Sequence, residues 1–178
     1  MRNYSGKLLI SAMLLAALAA AGASWWFRYE ATHLTAQFWG PEAARLIRDA
    51  PEVELLVLRR NDAAGSIEQL NIGGTNWLVA DKRDVSQAPG LTHLRNALLE
   101  DHSFDWPVHA ADSSTDWRWA LRFRDGKGPR LVALFSADEQ LGKSFAGDES
   151  IVAVSCRPIS RGLSEMYVEM IGQVAAHR

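Results

Sequence analysis

The feature that most constrains this chain is a run of 20 residues without a charge, Leu8 to Phe27 (LLISAMLLAALAAAGASWWF). A helix needs about 20 apolar residues to cross the hydrocarbon core of a bilayer, so the run is long enough to span one. Arg2 and Lys7 precede it, whereas Arg28 and Glu30 follow it with cancelling signs. The positive-inside rule then predicts a cytoplasmic N-terminus and a C-terminal domain outside the cytoplasm, in a periplasmic or extracellular part of the cell envelope. Trp25, Trp26, Phe27 and Tyr29 stand where an interfacial aromatic belt would stand, which favours a retained anchor. The alternative is secretion after cleavage following Ala23, because Ala21-Gly22-Ala23 matches a small-residue cleavage site behind an apolar run of signal-peptide length. A buried helix of a soluble protein is disfavoured, since no polar face interrupts the run.

The expected division is therefore a signal-anchor or transmembrane segment over 1–27 and a single exported domain over 28–178, with the membrane contacted through residues 8–27. The whole chain of 178 residues carries 19 basic and 21 acidic side chains. Without Arg2 and Lys7 the second part has 17 basic residues against 21 acidic, a formal charge of −4. That balance lacks the basic footprint of a nucleic-acid binder, so no nucleic acid is expected as a partner. One cysteine forms neither an intrachain disulfide nor a cysteine-based zinc site.

The exported part reads as α+β. Gly40-Pro41-Glu42 opens a short helix, with proline at a position that needs no amide hydrogen, and Pro51 ends it. Glu52 to Arg60 (EVELLVLRR) is apolar on both faces over most of its length, the pattern of a central strand. Ile67 to Ile72 leads through Gly73-Gly74-Thr75-Asn76 into a hairpin turn, and Trp77 to Val79 continues as a third strand. Leu91, Leu94, Ala97 and Leu98 recur at helical spacing after Pro89. Trp117 to Arg124 (WRWALRFR) alternates Trp117, Trp119, Leu121 and Phe123 with Arg118, Ala120, Arg122 and Arg124, which predicts one core face and one wet face. Leu131 to Phe135 is its hairpin partner across Asp125-Gly126-Lys127-Gly128, and Ile151 to Cys156 forms a last strand. Ser160 stands where it would cap a final helix striped by Leu163, Met166, Tyr167, Met170, Ile171 and Val174. Strands and helices without strict alternation predict a mainly antiparallel sheet packed against helices on one face.

Candidate chemistry is sparse. Glu100 to His109, with Asp112 beyond, is the densest set of potential metal ligands, and a hydrolase or metal-dependent enzyme would use His102, Asp105 and His109. Their spacing matches no established signature, and a polar loop after a helix end explains them as simply. Cys156, next to Arg157, has the type of neighbour a reactive thiolate needs, yet it lies in the apolar pattern of Ile151 to Val154, where a cysteine behaves as a small hydrophobe. There is no G-x-S-x-G, H-E-x-x-H or phosphate-loop motif, and Gly73-Gly74 is not followed by Lys-Ser or Lys-Thr. No cofactor is expected. Arg118, Arg122 and Arg124 form a candidate anion-binding face, because guanidinium groups pair bidentately with phosphate and carboxylate; the competing explanation is a solvated face paired across strands. The expectation for function is a membrane-tethered envelope protein, a non-catalytic binding or accessory domain whose partner is an anionic lipid, a cell-wall component or a protein.

Overall fold

The computed structural model describes residues 4–60, 68–112, 114–126, 130–145 and 151–175. Helix α1 runs over Tyr4–Asp49 and leaves helical geometry at Gly40 (φ 73°, ψ 169°). A positive φ with extended ψ suits glycine alone, and Pro41 restarts the helix without an amide hydrogen to satisfy. The short helix expected from Gly40-Pro41 is thus the last part of a much longer one, because residues 28–39 are helical too. From residue 8 the helix is long and apolar enough to cross a membrane by length and composition, with a mean hydropathy of 2.0 in its most apolar window.

Eight strands follow in one sheet: β1 (Glu52–Arg60), β2 (Gln69–Ile72), β3 (Thr75–Asp84), β4 (Asp105–Ala110), β5 (Trp117–Arg124), β6 (Arg130–Ser136), β7 (Gln140–Phe145) and β8 (Val152–Ser155). Their spatial order is β2-β3-β1-β5-β6-β7-β8-β4, and every neighbouring pair is antiparallel. Helix α2 (Leu91–Ala97) lies between β3 and β4 in the chain, and α3 (Ser160–Ala175) closes it. The architecture is α+β, as the patterning predicts. Ile67 of the expected second strand and Val174 of the expected last-helix stripe lie outside the residues whose side chains are described.

One sheet face packs against all three helices. Phe38, Trp39, Leu46 and Ile47 of α1, Leu91 and Leu94 of α2, and Leu163 and Met170 of α3 share a core with Val53, Leu55, Trp119, Leu121, Phe123, Leu131 and Phe135. The opposite face, expected to be wet, carries a second core instead. Leu56, Leu58, Ile72, Trp77, Trp117, Ala120, Val132, Leu134, Ile151 and Ala153 are buried together there, and no residue of α1, α2 or α3 is among them. Strands from both halves of the sheet contribute, so the sheet curls and covers this face with its own ends; sheet twist and bulges supply that curvature.

A bulge also corrects the reading of β5. Its register against β6 shifts between Trp117 and Trp119, which puts the two rings on opposite faces rather than on one. Trp119 stacks on Phe135 with ring centroids 3.8 Å apart, while Trp117 lies over β7. A Cβ at Gly142 would come within 2.7 Å of the Trp117 ring, so this strand residue has to be glycine. Strands β4 and β7 escape the periodicity analysis: DWPVHA is exposed at almost every position of an edge strand, and QLGKSF has only two large apolar residues.

Ser160 does not cap α3 by accepting an amide hydrogen. Its backbone is already helical, a 3-10 turn over Arg157–Ile159 precedes it, and its hydroxyl donates to the Arg157 carbonyl at 3.0 Å.

Candidate functional site

The three arginines of β5 do not share one open surface. Arg122 is buried; its Nε donates to Glu54 Oε2 and its Nη1 to Glu68 Oε1, both at 2.6 Å. Glu54 comes from the neighbouring strand β1, and Glu68 from the residue before β2, whose strand lies at the sheet edge beyond β1 and β3. Lys82 on β3 adds a second cation, 3.1 Å from Glu68 and 3.9 Å from Glu54. The Arg122 hydrogen bond, ahead of the bond from Lys82, holds the Glu68 carboxyl below its ordinary value. Arg124 stands 3.8 Å from Glu52 and 3.7 Å from Glu54. Arg118 is the exposed member and meets Asp116 at 3.4 Å. Carboxylates of the fold itself thus face these guanidinium groups, across strands for Arg122 and Arg124 and from two residues away for Arg118.

His102, Asp105 and His109 do not converge. His102 lies in a 3-10 turn over Asp101–Ser103 with its Nε2 3.1 Å from Glu100. Asp105 begins β4, 3.8 Å from Arg157, and His109 lies four residues further along the same strand, past an irregularity in its pairing with β8. Among the described residues no group of three or more His, Cys, Asp or Glu is placed to hold a metal ion. Cys156 is buried in the helix-side core, its thiol donates to the Glu139 carbonyl, and burial pushes its pKa up to about 12. A thiol so protonated is a packing residue.

A second polar site lies at the junction where α1 meets the domain, and it is built on Asp101 from the Glu100 to His109 set. Asp101 is buried, and its carboxylate accepts hydrogen bonds from the backbone N–H of Leu34 (3.0 Å) and Thr35 (2.7 Å) and from the Thr35 hydroxyl (2.8 Å). It reaches these groups from a distant turn, in the middle of α1 rather than at a helix end. His33 Nδ1 is 3.4 Å from the same carboxylate. One turn further, Trp39 Nε1 donates to the Leu98 carbonyl at 2.6 Å, and the Lys143 ammonium donates to the Phe38 carbonyl. Lys143 thereby places a cation at the C-terminal end of the helical segment that stops at Gly40. Arg95 does the same beyond the kink, donating to the carbonyls of Arg48 (2.6 Å) and Ala50 (2.7 Å). The sequence signal for this junction is Thr35, a polar residue at a position that turns out to be fully buried.

Two clefts border the junction and the helix layer. Between α2 and α3 a groove of about 560 Å³ has Leu94, Ile159, Leu163 and Met166 along its floor, with His93, Glu165 and Glu169 at its sides. Between α1 and β4 a cleft of about 410 Å³ is lined by Leu34, Gln37, Phe38, Trp106, Pro107, Val108, Lys143 and Val152. Both volumes fall in the range of ligand sites. Comparison of this chain with protein-family models, curated proteins and solved structures finds no match.

Proposed function

We propose that this chain is a membrane-tethered accessory or binding domain, non-catalytic, held outside the cytoplasm by α1. The observation that carries the reading is the continuity of that helix from residue 8 to Trp39, ahead of the break at Gly40. Its residues 8–27 are apolar and exposed on all sides, and its later residues, Phe38, Trp39, Ala43, Leu46 and Ile47, are core of the folded part. A bilayer is the solvent that such a first half requires. Because Asp101 and Trp39 tie the helix to the domain without a linker, the tether sets a fixed distance and orientation at the membrane surface. The α2–α3 groove supports the binding half of the reading: an apolar floor beside Glu165 and Glu169 suits an apolar segment of a protein partner with basic flanks.

The test is topology and anchorage of the full chain. A reporter fused after Arg178 should be active only outside the cytoplasm, and the protein should stay with membranes through alkaline carbonate washing at its uncleaved mass. Reporter activity inside the cytoplasm would overturn the orientation. A mass beginning at Ser24 would convert the tethered protein into a secreted one.

A further inference from the structure

Where α2 meets the last turn of α1 and the turn after β3, a cleft of about 500 Å³ opens, large enough for a small ligand. Among the described residues that line it, the charged ones are both cations, Arg48 and Arg95, in a chain whose acids outnumber its bases. Arg95 is the fixed member. Its Nη1 donates to the Arg48 carbonyl at 2.6 Å and its Nη2 to the Ala50 carbonyl at 2.7 Å, which anchors the guanidinium at the end of α1. Arg48 is the free member: it is exposed, and among the described residues its guanidinium has neither a hydrogen bond nor an ion pair. Two acids stand close by but outside the lining. Asp84 is engaged by the amide and the hydroxyl of Ser86, and Asp49, the residue after Arg48, is exposed.

The rest of the lining suits a polar body rather than a bare ion. Thr92 and Asn96 lie four residues apart on one face of α2, and Gln87 precedes them in the turn after β3. Among the described residues none of these three side chains has a hydrogen-bond partner. A hydroxyl and a carboxamide each donate and accept, as the hydroxyls of a sugar do. Ala88, Leu91 and Leu99 add apolar surface on which the C–H face of a sugar ring can rest. The arginines of β5 differ on this point, since each of them faces a carboxylate of the fold.

We propose that this cleft binds a small acidic saccharide, a sugar ring that carries a carboxylate or a phosphate. The oxyanion pairs with Arg48, and the ring hydroxyls exchange hydrogen bonds with Thr92, Asn96 and Gln87. The site is separate from the α2–α3 groove and does not depend on the tether.

Ligand-observed NMR titration of the full chain in detergent tests it, with glucuronate, glucose 6-phosphate, glucose and inorganic phosphate as probes. At least one of the two charged sugars should bind about tenfold more tightly than glucose or inorganic phosphate, the scale of a charge-assisted hydrogen bond. Binding by one charged sugar alone would assign the oxyanion. Arg48→Gln should remove that tenfold advantage and leave glucose unchanged, whereas Asn96→Ala should weaken the charged sugar and glucose alike. Both positions are exposed, so both melts should match the wild type. Arg118→Gln, at an exposed arginine outside the cleft, should change nothing. Inorganic phosphate binding as tightly as the charged sugars would overturn the saccharide site. Charged sugars no tighter than glucose, or full affinity retained in Arg48→Gln, would overturn it as well.

Discussion

In residues 8–27 of α1 every large apolar side chain is exposed, Leu14 at 59% and Phe27 at 74%, whereas further along the same helix Phe38, Trp39, Leu46 and Ile47 are all at 5% or less. The two stretches differ in apolar content and in periodicity: the first carries no charge, whereas Glu42, Arg45, Arg48 and Asp49 interrupt the second on one side, so its other side makes a single stripe that a sheet can cover. The first stretch is apolar all round, and no single protein surface can cover that. One helix thus carries an all-round apolar stretch and a one-sided stripe, and the domain takes hold of it between them, at the Asp101 junction.

The contrast is best broken at Trp39. Trp39→Ala should destabilise the folded part by about 3–5 kcal/mol in a denaturant titration, because a fully buried indole is lost and the Leu98 carbonyl loses its donor. A loss below 1 kcal/mol, on the scale of an ordinary surface change, would show that this half of α1 is not core.

The same division, between a side chain held by partners and one that is not, recurs in β5 with Arg122 and Arg118. Arg122→Ala should cost about 3–5 kcal/mol by taking from the half-desolvated Glu54 the guanidinium that hydrogen-bonds it, leaving only the longer contacts with Lys82 and Arg124, while Arg118→Ala should cost about 0–1 kcal/mol. The Arg122 effect has a pH signature. Glu68 has a folded-state pKa below the ordinary 4.5, so its contribution is complete above that value and is lost as pH falls through the lowered one. The gap between wild type and Arg122→Ala should therefore narrow below pH 4.5, and a gap that widens on acidification would contradict the pairing.

At the junction itself, Asp101→Ala should destabilise by about 1–3 kcal/mol, since the Thr35 amide and hydroxyl lose a buried acceptor. Hydrogen exchange should show the loss concentrated at Leu34 and Thr35. Uniform exchange across the domain would mean that the carboxylate does not join helix to fold. The smallest effect belongs to the first half of α1: Leu14→Ala should move the melt of the detergent-extracted chain by no more than about 0.5 kcal/mol. A larger change would place Leu14 against protein.

Several elements were legible in the amino-acid pattern because their signals are local. WRWALRFR alternates at the period of a strand, Leu163 through Ile171 recur at the period of a helix, and Gly40-Pro41 marks a helix start, since glycine takes the positive φ and proline lacks the amide hydrogen that the first helical position leaves unused. Strand β4 was not legible, since an exposed edge imposes no alternation. The arginines of β5 were visible as a charged series, but their partners come from β1 and from the approach to β2, and pairing across that separation leaves no trace in spacing.

What the sequence by itself determined is the uncharged run of residues 8–27, the α+β class and the stripes that must be buried, all of which follow from hydropathy and periodicity along the chain. What only the tertiary structure decided is which side of each stripe faces what. The bulge between Trp117 and Trp119 sends two neighbouring indoles into different cores, the curl of the sheet closes the face expected to be wet, and Asp101 reaches α1 from a turn that no local rule connects to it. The physical reason is that register and sheet curvature are set by the sum of packing over all eight strands, and a one-residue shift reverses every side chain beyond it.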